Sequence, residues 1–140
     1  MALTSWLVDK SALVRMTASV DAEEWFDRTG RGLLRISTVT HLEMGFSARS
    51  VTEHLEVSRT PPISLMPLEY VTPAAERRAV EVQRTLTGHG RHRAASVPDL
   101  LLAAIAEVAG LTVLHLDKDF EIIADVTGQP VERLRLVGGD

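Results

Sequence analysis

The sequence predicts an α/β fold of the three-layer α/β/α kind: a central, mostly parallel sheet between two layers of helices. Two observations lead there. Short apolar runs, Trp6-Leu7-Val8 and residues 33–36 and 112–116, alternate along the chain with longer stretches of helical periodicity. The 140 residues contain no repeat and no low-complexity linker, so one domain spanning residues 1–140 is expected.

The elements follow in order. Trp6 to Asp9 reads as a short buried strand, and Ser11 can cap a segment in which Leu13, Met16 and Val20 recur at near-helical spacing. Asp21-Ala22-Glu23-Glu24 matches a capping box and opens a helix ending near Gly30. Residues 33–36 form a second strand. Val39, Leu42 and Phe46 then make the buried stripe of an amphipathic helix. A short helix over 51–58 ends at Pro61-Pro62, and residues 63–68 read as a third extended segment. Pro73 opens a long helix with Ala75, Ala79, Val82 and Leu86 inward, stopped by Gly88 and Gly90. Pro98 opens the next, with Leu101, Ile105 and Val108 inward and Gly110 at its end. Residues 112–116 are the clearest strand. Asp117 caps a helix over Phe120, Ile123 and Ala124, residues 131–137 supply a last strand, and Gly138-Gly139-Asp140 frays.

Composition narrows the function. Hydrophobic residues make up 45 % and charged residues 24 %, an ordinary globular balance, while only 4 % aromatics point to an aliphatic core. Without cysteine there are no disulfides and no thiol catalysis, which fits a cytoplasmic protein. No apolar run is long enough to span a membrane, and the start, Met-Ala-Leu-Thr-Ser-Trp, lacks the features of a signal peptide. The net charge of −4 argues against a generally basic, nucleic-acid-binding surface.

Five acids, Asp9, Glu43, Asp99, Asp117 and Asp119, outweigh that whole negative excess. Each stands at the end of an expected strand or the start of an expected helix. The carboxyl ends of parallel strands are where open α/β sheets bind ligands. Singly, each acid has an ordinary structural reading as a helix cap or first-turn charge. Converging, they would repel one another, and a hard divalent cation, Mg²⁺ or Mn²⁺, offsets that repulsion. Such a cation acidifies a bound water for attack on a phosphodiester. No nucleophile elbow or P-loop is evident.

Four segments in order resemble the motifs of one family. Leu7-Val8-Asp9-Lys10-Ser11-Ala12-Leu13 looks like the first motif of PIN-domain ribonucleases. Thr40-His41-Leu42-Glu43-Met44-Gly45 looks like the second, Pro98 to Ala104 the third, and Leu114-His115-Leu116-Asp117-Lys118-Asp119-Phe120 the fourth. No single motif is distinctive; the ordered set is, and it spans nearly the whole chain. The small size and lack of appended domains resemble VapC-type toxins of toxin–antitoxin pairs.

The resemblance implies a Mg²⁺- or Mn²⁺-dependent endoribonuclease that leaves 5′-phosphate and 3′-hydroxyl ends. It implies Asp9, Glu43, Asp99 and Asp117 as catalytic residues, with Asp9, Asp99 and Asp117 on the metal. Asp119 would be an accessory acid, and Ser11 would orient Asp9 or a water. It also implies a homodimer and a VapB-like antitoxin whose tail occupies the acidic groove. Two positions depart from the pattern: Lys10, where many members have threonine, and His115, where many have threonine or serine. An ammonium suits a carboxylate site, and His115 brings a group that titrates near neutrality.

Arg77, Arg78, Arg91 and Arg93, together with Arg84, form a locally basic stretch suited either to RNA phosphates or to pairing with Glu76 and Glu81. His89 and His92 read as part of a solvated loop. Trp6, Trp25, Phe26 and Phe46 read as core or interface residues. The competing reading is a receiver-like module that holds Mg²⁺ beside a phosphorylated aspartate. It needs a lysine on a late strand, whereas Lys118 stands between two acids.

Overall fold

A computed structural model describes residues 3–139. Asp140, the last residue of the end expected to fray, lies outside them, as do Met1 and Ala2 of the start read for a signal peptide.

Five strands form one parallel sheet: β1 (Trp6–Val8), β2 (Leu34–Ser37), β3 (Leu68–Glu69), β4 (Thr112–His115) and β5 (Val131–Arg133). The order across the sheet is β3-β2-β1-β4-β5, so β1 is central. The chain runs outward from β1 through β2 to β3, then returns to β1's other side and runs outward through β4 to β5. The reversal lies between β1 and β4, where such sheets open a crevice at their carboxyl ends.

Side chains alternate along each strand, so the central strands feed two cores. Leu7 and Val113 face one core; Trp6, Val8 and Leu114 face the other. The first core is closed by α5 (Pro73–Gly88), α6 (Val97–Ala109) and α7 (Lys118–Thr127). The second is closed by α1 (Lys10–Leu13), the 3₁₀ turn Met16–Ala18 and α2 (Ala22–Gly30). Helices α3 (Thr38–Phe46) and α4 (Val51–Arg59) flank it through Met44 and Val57. Among the described residues, no helix is long and apolar enough to cross a membrane.

The inward stripe of α5, Ala75, Ala79, Val82 and Leu86, is buried as its spacing required. Several local expectations are corrected. Asp9, not Ser11, caps α1, and the helix stops after one turn because the 3₁₀ turn follows; Val20 is exposed. Asp21 precedes α2 but its carboxylate caps nothing, because Arg135 holds it at 2.8 and 3.1 Å. Residues 63–68 are not a strand: Pro62 sits in helical dihedrals and starts the 3₁₀ turn Ile63–Leu65, leaving only Leu68–Glu69 to pair with β2. The last strand stops at Arg133. Helix α6 is buried more broadly than one stripe, on Leu100 and Leu102 to Ala106, whereas Val108 is exposed. The expected inward stripe of α3 also fails, since Leu42 is 67 % and Phe46 90 % exposed.

Candidate metal centre

Three short loops carry acids to the crevice between β1 and β4. Asp9 follows β1 directly; its N–H donates to the Leu114 carbonyl of β4 at 2.9 Å, which holds the two strand ends together. Its Oδ2 accepts the Ser11 N–H at 3.0 Å and the Ser11 hydroxyl at 2.5 Å. Ser11 Oγ in turn accepts the Leu116 N–H at 2.9 Å. Ser11 thus couples the Asp9 carboxylate to the loop that follows β4.

That loop delivers Asp117, which caps α7 by accepting the Asp119 N–H at 2.9 Å. Asp119 reaches across to α6 and accepts the Ser96 N–H at 3.1 Å. Ser96 caps α6, its Oγ accepting the Asp99 N–H at 3.2 Å. Gly110 ends the same helix at φ 72°, a conformation costly for other residues, and turns the chain into β4.

The outcome is a trio. Asp99, Asp117 and Asp119 each offer a carboxylate oxygen, and the three oxygens lie within 4.8 Å of one another. Unit charges at that distance repel by about 3.5 kcal/mol at an effective dielectric of about 20. Asp99 is buried, and burial, a hydrogen bond with the Asp119 carboxyl and the charges of Asp9, Asp117 and Asp119 push its pKa up to about 8. A carboxyl whose neighbours favour its protonated form reports the mutual repulsion of the clustered acids. Three carboxylate oxygens fit a hard, oxygen-seeking divalent cation.

The sequence-derived metal set was Asp9, Asp99 and Asp117, with Asp119 as an accessory. In the folded chain Asp119 belongs to the tight trio and Asp9 stands beside it. Glu43, on α3, lies close enough to Asp9 to feel its charge. Its Oε1 is buried without a hydrogen-bond partner. Burial first and the Asp9 charge second raise its pKa, while Lys10 opposes them.

His115 is held below its ordinary histidine value. It ends β4 fully buried, packs against Phe120, and burial lowers its pKa. Its Nδ1 accepts the Asp117 N–H at 3.2 Å, so a histidine here supports the loop that carries Asp117.

The basic stretch divides. Arg78 is committed to Glu107 at 2.6 Å and Glu81 at 3.2 Å, and Arg91 lies 3.6 Å from Asp125. Arg77, Arg84 and Arg93 are exposed. The turn bearing Arg91 and Arg93 runs directly into Ser96. Sequence reasoning overlooked Ser96 itself, although Ser-x-x-Asp before an apolar run is a capping signal.

A family model for the PIN domain matches residues 6–126. The chain belongs to the PIN-domain family. Among curated PIN-domain relatives, Ribonuclease VapC2 of Mycobacterium tuberculosis (strain CDC 1551 / Oshkosh) is 57 % identical over 129 residues, covering 92 % of each chain. Ribonuclease VapC21 of the same strain is 43 % identical over 131 residues, covering 92 % of this chain and 93 % of the relative. The fold is also that of a crystal structure of DNA-bound VapBC from Salmonella typhimurium, with a TM-score of 0.75, 18 % identity, and coverage of 94 % and 98 %. The receiver-like alternative gives way to this family, and Lys118 opens α7 rather than ending a strand.

Proposed function

We propose that this chain is a metal-dependent endoribonuclease of VapC type, the toxin of a toxin–antitoxin pair, acting as a single PIN unit over residues 1–140 in the cytoplasm. The observation that carries this reading is the Asp99–Asp117–Asp119 trio at the carboxyl edge of the sheet. The names of its relatives, ribonucleases aligned along nearly their full length, support the substrate class.

Asp99, Asp117 and Asp119 would hold Mg²⁺ or Mn²⁺, with Asp9 completing the set. When bound, such an ion neutralises charge on a phosphodiester and makes a water available for attack. The remaining work falls to the chain. Ser11 fixes the Asp9 carboxylate; Ser96 fixes Asp99 and Asp119 relative to each other. Glu43, with its raised pKa, is suited to exchange a proton at its carboxyl oxygen beside the cleft. Arg93 and Arg77 are free to meet RNA phosphates, and Arg91 can join them by releasing Asp125; Arg78 serves the α5–α6 contact instead.

A VapB-like antitoxin and a homodimer complete the proposal. Apolar Leu42 and Phe46 line a depression together with Lys10 and Glu43, a surface suited to an antitoxin segment that ends among the acids. Brief expression of the chain beside Asp9→Asn and Asp117→Asn, followed by end-mapping of cellular RNA, tests the activity. New 5′-phosphate ends should appear with the parent chain and with neither variant. Equal cleavage by folded variants would defeat the reading.

A further inference from the structure

The acidic cleft has two ends of different charge. At one end stands the trio, with three carboxylates. At the other, Asp9 and Glu43 are accompanied by an ammonium. Lys10 follows Asp9 at the first position of α1, and its Nζ donates to Ser47 Oγ at 3.2 Å. Ser47 ends α3 one turn beyond Glu43, so the two residues share a helix face. Lys10 and Glu43 line the same depression, with Leu42 and Phe46 as its apolar walls. Into this neighbourhood Glu43 brings a buried carboxylate oxygen that has no hydrogen-bond partner.

We propose that Lys10 is the resident cation of the Glu43 end of the cleft, so that each chain takes one divalent ion rather than two. The inference rests on the metal-dependent reading above and adds to it which cation serves which acids. Sites that hold two divalent ions place them about 3.5–4 Å apart. Here a second ion would need Asp9 and Glu43 as ligands and would meet the Lys10 ammonium, a like charge, beside them. The long stem lets the ammonium swing from Ser47 toward Glu43 without any backbone movement. The direction of its effect agrees: Lys10 counteracts the rise in Glu43's pKa. Lys10 is thus a counter-charge and positioning residue, and the ion-binding work stays with the trio.

Manganese binding to the full-length chain tests this, using calorimetry and the electron paramagnetic resonance signal of free Mn²⁺ to count sites. The parent chain should bind one Mn²⁺. Lys10→Met should bind two, the second lost again in Lys10→Met/Glu43→Gln. Lys10→Arg, which keeps the charge, should bind one. Far-ultraviolet circular dichroism of each variant establishes that it is folded. Two ions on the parent chain, or one on folded Lys10→Met, would overturn the role of Lys10 while leaving the metal-dependent reading intact. No binding by the parent chain would remove both.

Discussion

The Asp119 carboxylate accepts the backbone N–H of Ser96 at 3.1 Å, joining the start of α7 to the start of α6 across 23 residues of sequence. The contact sets the separation of two acids on two helices. Ser96 caps α6 through Asp99 while its own N–H holds Asp119. The site is therefore built by helix capping as much as by strand ends.

Replacing Ser96 by Ala separates these roles. The N–H to Asp119 survives, but the hydroxyl that accepts from Asp99 is lost. Loss of an N-cap costs about 1 kcal/mol. A urea titration of Ser96→Ala should show that decrease, and Mn²⁺ affinity should fall as the first turn of α6 loosens. An unchanged midpoint would mean the cap adds nothing here.

Asp99 makes the metal-free protein sensitive to alkali. Its pKa rises from an ordinary 3.8 to about 8 on folding. Between those values the folded chain keeps a proton that the unfolded chain has released. This contribution is fully present below the lower value, falls as pH rises, and is lost beyond about 8. Asp99→Asn removes both the slope and one repelling charge. In EDTA, the variant should exceed the parent chain in stability by roughly 1–2 kcal/mol at about pH 8.5, and by less at about pH 6. It should also lack the thermal shift that the proposed metal site predicts for the parent chain with Mn²⁺. Lower stability of the variant at both pH values would contradict the electrostatic account of the trio.

His115 acts with the opposite sign. Burial lowers its pKa below the ordinary 6.5, so unfolding takes up a proton in acid that the folded chain refuses. Its contribution is present above about pH 6.5 and is lost as pH falls through the folded value. Because Nδ1 accepts from Asp117, the neutral ring carries its proton on Nε2. Nitrogen-resolved NMR of the imidazole should show that tautomer at neutral pH. A protonated ring at pH 7 would refute the assignment.

How far these features are legible in the sequence depends on what the local signal reports. Acids after apolar runs mark strand ends, so Asp9 and Asp117 could be read from spacing; which acids touch depends on loop geometry, and no local pattern reports the closeness of Asp119 to Asp99. The α5 stripe is readable because one face alone is buried. Helix α6 hides its phase because Leu100 and Leu102 to Ala106 are all buried. Residues 63–68 look extended by composition, but the helical dihedrals of Pro62 decide otherwise. Arg135 meets Asp21 across 114 residues, a partner no local pattern reveals.

The α3 stripe misleads for another reason, and that reason yields a prediction. A helical period marks an apolar face without saying what covers it. Phe46 and Leu42 point away from both cores, beside the depression that holds Lys10 and Glu43. Exposed aromatics in such a place are common binding anchors. Phe46→Ser should leave the urea midpoint within about 0.5 kcal/mol of the parent chain, since no core contact is lost. It should weaken binding of the proposed VapB-like antitoxin by roughly tenfold or more, measured by calorimetry on co-expressed and separated components. An antitoxin that binds the folded variant with undiminished affinity would place its docking surface elsewhere. A large loss of stability would mean instead that Phe46 packs within the chain.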